Sequence, residues 1–424
     1  MQRKTLDTII LFFAIVVISN ASIISDSNYA MLLFNAILVV LTKKDRLVSP
    51  TICILIGCTI AINILTMLAF STNVELPRIV NFILSPVLFS YLLLMYFGVS
   101  FWDKLEKIVY KLTCLSLVLF PLNVLFPSLF SSLFDVFKYI TSDMYDGYHY
   151  WTSLVYVHCI DITKSTILFA RNSGFMWEPG AFACVIILMI SINLLRNGAN
   201  LTSKRIVIYI IALITTFSTS GYLALFAILI FTLIGKGRSV FAYIVLSLLV
   251  IGAISLYSSA SFLGEEIDGY LVSYDRDYTD YITDGFNAPK LDRFLFFKYQ
   301  FEEIFKYPFG YGVYRPTDIN SMWDFVGVNG FSDLFFIHGI PMALFVLAFI
   351  FKFFKLLNKN RFNIMLAGIF VAILIMIFSN PFGRSPLIYL MFLTPLVISD
   401  KAFKIYEYIR NLHLFVSTRT CSNK

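Results

Sequence analysis

Apolar stretches long enough to cross a bilayer recur from one end of this 424-residue chain to the other, and they constrain its folding more than any other feature. A run of about 17 to 23 residues carries a helix through a ~30 Å hydrocarbon layer. The sequence predicts twelve such spans, at 7–24, 28–42, 48–70, 79–98, 108–130, 179–195, 206–218, 221–235, 239–258, 332–351, 363–379 and 386–399, with the second, seventh, eighth and twelfth the short ones. Helices are the expected element because unpaired backbone groups cannot face lipid. The low share of charge agrees: 14% of residues are charged, against roughly 25% in an ordinary soluble domain. The expected fold is an all-α polytopic integral membrane protein, a single membrane domain over 1–424.

Charge distribution orients these spans, because basic residues collect on the cytoplasmic side. With both termini inside, the inner segments ("MQRK", "KKDR", "WDKLEK", "RNGANLTSKR", "KGR", "KFFKLLNKNR" and the tail) hold 22 of the 33 Lys and Arg and 6 of the 26 Asp and Glu. The net charge of +7 then follows from topology and is no argument for a nucleic-acid partner. "MQRK" ahead of an apolar stretch imitates a signal peptide, but no small-x-small cleavage site closes it, so the first span is read as a retained helix. Cys53, Cys58, Cys114 and Cys184 fall within spans, Cys421 in the tail and only Cys159 outside. No disulfide framework and no zinc spacing follow, and no cofactor or metal is expected.

Two large outer loops, 131–178 and 259–331, break the run of short connections. Both are rich in Tyr, Phe, Trp and Asp, whereas disordered segments lack aromatics. They are expected to fold over the outer face and to carry amphipathic helices, one of them "RFLFFKYQFEEIFKYP" at 293–308. Ring faces beside carboxylates suit carbohydrate; an interfacial aromatic belt is the alternative. No internal repeat of the kind found in two-half transporters is present.

Charge enters the hydrocarbon-rich sequence most abruptly at "ARNSGFMWEPGAF", 170–182. Pro179 suits the first helical turn, and Glu178 sits where the positive end of the helix dipole favours an anion. Gly174 permits a tight approach of the backbone. Arg171 is expected at an outer cavity, since a guanidinium near lipid must be paired or wetted; an Arg171 to Glu178 salt bridge that only fastens the loop is the alternative. Further on stand "STSGYLAL" with Ser218 and Ser220, then a segment led by Arg293 that runs through Pro308, Gly310 and Gly312 to Arg315. "VNGFSDLFFIHGI" follows with Asn329, Asp333 and His338, and "NPFGRSP" closes the series with Arg384.

In this order the series resembles the Wzy-type O-antigen polymerases and the related O-antigen ligases: Arg-x-x-Gly-x-x-x-Glu-Pro, Ser-x-Ser-Gly, an arginine-led segment ending in Pro-x-Gly-x-Gly, then Asn-Gly and Gly-Ile, over about 171–340. The resemblance implies a GT-C-like, metal-independent inverting glycosyltransferase. Such an enzyme is a multi-pass protein of the bacterial inner membrane and acts on the periplasmic side. It would transfer the growing chain from undecaprenyl diphosphate onto a new lipid-linked repeat unit. Its implied partners are the undecaprenyl-diphosphate-linked oligosaccharide, membrane lipid and, as a candidate, a chain-length regulator protein.

Arginine forks bind phosphate oxygens bidentately and neutralise a diphosphate leaving group. Arg171 and Arg293 are the catalytic candidates for that role. Glu178 either accepts the proton of the attacking hydroxyl or holds Arg171. Substrate-binding candidates are Arg315, Arg384, Ser218, Ser220, Asn329, Asp333 and His338, the last either structural or a displaced base. Val328 stands where ligases carry a histidine, which favours polymerase over ligase. A lipid-linked oligosaccharide flippase would instead line its spans with charge and keep its loops short.

Overall fold

The computed structural model describes residues 2–42, 50–71, 76–141, 148–161, 171–235, 293–314 and 329–399. The first half holds α1 (Gln2–Ser19), α2 (Ile23–Asp26), α3 (Asn28–Leu41), α4 (Pro50–Phe70), α5 (Leu76–Ile79), α6 (Ser85–Phe97), α7 (Phe101–Leu125), α8 (Pro127–Ser132) and α9 (Phe134–Phe137). A two-stranded antiparallel hairpin follows, β1 (Tyr148–Thr152) and β2 (Val157–Asp161), with Tyr148 opposite Asp161 and Thr152 opposite Val157. The second half holds α10 (Pro179–Arg196), α11 (Lys204–Thr215), α12 (Thr219–Gly235), α13 (Arg293–Lys306), α14 (Gly330–Leu357), α15 (Ile364–Ser379) and α16 (Pro386–Ser399).

α10 is the central helix. Its apolar residues from Ala181 to Leu195 are buried almost without exception, and α11, α12, α14 and α15 pack around it. α12 and α15 approach most closely: an added Cβ on Gly368 would meet the Phe231 ring, and one on Gly235 would meet Ile364. α16 lies between α6 and α14, tied to α7 where Trp102 Nε1 donates to Thr394 Oγ1 at 2.9 Å. The hairpin closes over a separate aromatic cluster of Phe130, Trp151 and Tyr156. Trp151 Nε1 donates to the Phe130 carbonyl at 2.7 Å. Burial pushes the Tyr156 phenol up to about 12, against a smaller downward pull from the Asn123 amide.

The twelve-span expectation is corrected. Among the described residues four helices are long and apolar enough to cross a membrane: Ile52–Phe70, Phe101–Leu125, Pro179–Arg196 and Gly330–Leu357. Six more are apolar but shorter, and the expected span at 239–258 lies outside the described residues. The expected bounds hold closely at α3, α15 and α16, where 28–42, 363–379 and 386–399 become Asn28–Leu41, Ile364–Ser379 and Pro386–Ser399, so these apolar runs are themselves short of a crossing. Ser27 caps α3, its hydroxyl accepting from Ala30 N. Asn363 caps α15 in the same way, from Leu366 N. Within the expected span at 79–98 a π-helical turn at Val80–Leu84 interrupts the α-helical hydrogen bonding, while Ile79, Leu84 and Ser85 keep helical backbone angles. A helix of 14 residues, as in α3 and α16, rises only ~21 Å, short of the ~30 Å hydrocarbon layer.

The all-α polytopic frame of about twelve transmembrane helices therefore gives way to a mostly helical, extensively packed fold with a small hairpin. Multi-pass placement in a bacterial inner membrane with a periplasmic active site rested on that count, and it is withdrawn with it. The four long helices also differ in surroundings. The most apolar stretch of α10 is 78% buried, whereas those of α4 and α7 are 28% and 33% buried. Protein wraps α10, while Ile54, Leu65, Leu68, Val118 and Leu125 on α4 and α7 face outward.

The helix expected at 293–308 forms, as α13. Within the first expected loop the structure describes α8, α9, the hairpin and the coil at 171–178. Within the second it describes α13 and the segment to Tyr314.

Candidate functional site

Two helix N-termini meet at one turn. Glu178 is the N-cap residue of α10, extended at φ −148° and ψ 159°, with Pro179 in the first turn. The preceding coil is anchored by Trp177 N donating to the Ser19 carbonyl at 3.1 Å. Gly180 is the contact point: an added Cβ would stand 2.7 Å from Asn380 Oδ1 and 3.7 Å from Glu178 Oε1. The Glu178 carboxylate and the Asn380 amide thus flank the first turn of α10. Asn380 is fully buried, and its Nδ2 donates to the Met376 carbonyl at 3.0 Å.

Asn380 opens the turn that continues as a 3₁₀ segment, Phe382–Arg384. Its carbonyl accepts from Gly330 N at 3.0 Å, which docks the start of α14 against the turn. Asn329 caps α14, its Oδ1 accepting from Phe331 N at 3.0 Å and Ser332 N at 3.1 Å. The Gly383 backbone lies against Gly330 and Asp333: a Cβ there would be 2.9 Å from Asp333 Cβ. Asp333 is buried, and its Oδ1 accepts from Gln300 Nε2 of α13 at 2.7 Å. Gln300 Oε1 in turn accepts from the Ser332 hydroxyl. Rings border the junction, with Trp177 5.3 Å from Phe382 and Phe301 5.5 Å from Phe335 between centroids.

A second polar group lies at the turn between α11 and α12. Arg171 is exposed and donates from Nε to the Thr216 carbonyl at 3.1 Å and from Nη2 to the Phe217 carbonyl at 2.8 Å. It therefore caps the C-terminal end of α11, where carbonyls lack helical partners. It forms no ion pair with Glu178. Ser218 and Ser220 hydroxyls are 3.2 Å apart, and Ser218 Oγ accepts from Gly221 N at 3.3 Å. Gly174, at φ +55°, makes a tight approach, and its neighbour is the Phe182 ring.

The Pro-x-Gly-x-Gly segment is placed at neither group. It runs along the kink of α14: Tyr311 N donates to the Phe336 carbonyl at 2.7 Å, Gly312 N to Ile337 at 3.0 Å, and Ile340 N to Pro308 at 2.9 Å. His338 stands at that kink, buried, with Nε2 3.3 Å from the Tyr389 hydroxyl of α16. Near this segment burial, reinforced by the Glu303 carboxylate, pushes the Tyr311 phenol well above its ordinary range.

Of the expected site residues, the structure gathers Glu178, Asn329, Asp333 and the Arg384 backbone around one turn. Arg171, Ser218 and Ser220 sit together at the neighbouring turn, and Gly221 there touches Ala183 of α10. Arg293 opens α13, seven residues before Gln300. Arg315 lies outside the described residues, as does Val328. Gln300 and Asn380 were not anticipated. The signal for Gln300 was a lone neutral amide within the aromatic helix "RFLFFKYQFEEIFK". Among the described residues, no three His, Cys, Asp or Glu side chains are grouped to hold a metal.

No family model matches this chain, and neither a curated protein nor a solved structure does. The resemblance to Wzy-type polymerases is therefore corrected, and O-antigen polymerisation at the periplasmic face with it. The frame carries four membrane-length helices among the described residues, not twelve. The Pro-x-Gly-x-Gly element of the series is explained by backbone packing at the α14 kink.

Proposed function

We propose that the junction of the α10 and α14 N-termini transfers a glycosyl group, without a metal, from a diphosphate-linked, lipid-carried oligosaccharide to a sugar hydroxyl. The observation that carries this reading is the convergence of Glu178, Asn329 and Asp333, drawn from segments some 150 residues apart, on the single turn that contains Arg384. Two helix N-termini supply positive potential for an anionic donor. Aromatic rings beside carboxylates suit a sugar. The outward apolar faces of α4 and α7 offer a lipid chain a surface to lie on.

In the proposed step the acceptor oxygen attacks the anomeric carbon from the face opposite the diphosphate. A new carbon–oxygen bond forms, and the bond from the anomeric carbon to the diphosphate oxygen breaks. The electron pair leaves with the diphosphate, and the acceptor's proton passes to Glu178 or Asp333. Arginine donors neutralise the leaving charge. Arg171 has committed two of its five donors to carbonyls, so three remain.

The test is transfer of a labelled oligosaccharide from synthetic undecaprenyl diphosphate by the purified full-length chain, with and without EDTA. Transfer that persists in EDTA and is lost in the double variant Glu178→Gln/Asp333→Asn supports the reading. Transfer that stops on chelation, or that survives the double variant, contradicts it.

A further inference from the structure

We infer that the outward face of α7 and α11 docks on an anionic phospholipid leaflet, with its lysines at the phosphates and the aliphatic residues beyond them in the hydrocarbon. The contact is independent of the proposed glycosyl transfer and implies no number of membrane crossings.

α7 carries its polarity inside out. Glu106, Thr113, Ser116 and Asn123 are buried, at spacings that place them on one side of a helix. The opposite side reads Lys107, Lys111, Leu115, Val118, Leu122 and Leu125, all exposed. On a helix set against water the two faces would be exchanged, because each exposed aliphatic side chain forgoes its transfer out of water. The exposed side is also graded along its length, with cations in the earlier turns and aliphatic residues in the later ones. From Leu115 to Leu125 the helix rises ~15 Å. That is half of the ~30 Å hydrocarbon layer, the depth of one leaflet.

α11 repeats this order beside α7. The two helices run in the same direction: Arg205 Nη1 donates to Glu106 Oε2 at 2.6 Å, and the Tyr209 and Tyr110 ring centroids are 5.9 Å apart. Further along, Asn172 Nδ2 bridges the Ser116 hydroxyl at 3.4 Å and the Thr215 hydroxyl at 2.9 Å. Lys204 is exposed at the start of α11, and Val207, Ile211 and Ile214 follow it outward. Cations therefore stand at one level on both helices and aliphatic side chains at the next.

The charge balance at this end selects the partner. Its acids are taken: Asp7 pairs with Lys104, Asp103 with Arg196 and Glu106 with Arg205. Among the described residues Lys107, Lys111 and Lys204 form no ion pair. Lys359 and Arg361 add to the same end, since they follow α14, whose Phe353 ring lies 4.7 Å from Trp102 of α7. A second copy of this face would meet the lysines with the same lysines or with aliphatic side chains. An anionic leaflet instead offers phosphate at one level and acyl chains at the next.

The experiment measures partition of the purified full-length chain onto vesicles of phosphatidylcholine, alone or mixed with phosphatidylglycerol, by flotation at low and high salt. Mixed vesicles should bind wild type tighter by on the order of 100-fold at low salt, about fivefold for each of the three lysines, and salt should erode the preference. The triple variant Lys107→Gln/Lys111→Gln/Lys204→Gln should lose that preference, and Lys→Arg at the same positions should keep it. Val118→Asp/Leu125→Asp should weaken partition onto both kinds of vesicle, with thermal melting to verify that each variant folds. Equal partition of wild type onto both vesicles, or a preference that survives in the glutamine variant, overturns the assignment. A wild type that floats with neither vesicle, and forms a dimer that Val118→Asp/Leu125→Asp dissociates, would make this face a contact between copies instead. Transfer activity enters none of these readouts, so loss of the glycosyl-transfer reading would leave the lipid contact standing.

Discussion

Gly339 holds φ 73° and ψ 166° inside α14, a region of backbone space that is essentially reserved for glycine. Its missing side chain also makes room for another strand of chain. A Cβ there would stand 2.4 Å from the Phe309 carbonyl carbon, and one on Gly310 would stand 2.4 Å from Gly339 N. Gly339→Ala should therefore destabilise the fold by about 1–3 kcal/mol from backbone strain, with the Phe309 clash adding to it. Thermal melting checks this, and an unchanged midpoint would show that the kink relaxes freely. The glycine pair and His338 were visible in the sequence as a motif, but their contact with each other was not. Residue types announce that a backbone must approach something closely; they do not say what. The same limit applies to Arg171, whose charge was legible and whose use on the carbonyls of α11 was not.

At the scale of elements, one buried acid fastens three helices. Glu106 of α7 accepts from Arg205 Nη1 at 2.6 Å, from Tyr209 Oη at 3.2 Å and from Asn193 Nδ2 at 3.2 Å, so that α10 and α11 are pinned to α7. Glu106 is buried, while Arg205 is partly exposed. Arg205→Met should cost about 1.5–3 kcal/mol, the range for hydrogen bonds to a charged group, and towards its lower end because water still reaches that position. Adding Glu106→Gln should recover part of the loss, since the uncompensated charge is then gone. Strictly additive losses in the double-mutant cycle would show that the groups do not interact.

Helix positions were well anticipated by hydropathy, as α4, α10 and α15 illustrate, and the expected 28–42, 363–379 and 386–399 match α3, α15 and α16 to within a residue. What hydropathy did not register is that such short runs fall below a bilayer's thickness. Ser27 and Asn363 start α3 and α15 as N-caps, and the 215–219 turn separates α11 from α12, each close to where the apolar runs change. The hairpin at 148–161 was read as an aromatic loop, because Tyr148, His149, Tyr150, Trp151 and Thr152 show no strict alternation of apolar and polar residues.

Across the whole molecule, the segments that carry the candidate site are brought together by α10. Its first turn meets the 380–384 turn, its flank carries the start of α12, and its buried length packs against α14 and α15. That arrangement makes the position of the site a testable property of the full chain. The most direct measurement is photo-crosslinking with a benzophenone-bearing undecaprenyl-diphosphate oligosaccharide, followed by mass spectrometric mapping of the labelled peptides. Adducts within 171–182, 329–333 or 380–385 that are competed away by unmodified donor are the predicted result. Competable adducts confined to other segments, or labelling that unmodified donor does not reduce, would contradict the placement of a glycosyl-transfer site at this junction.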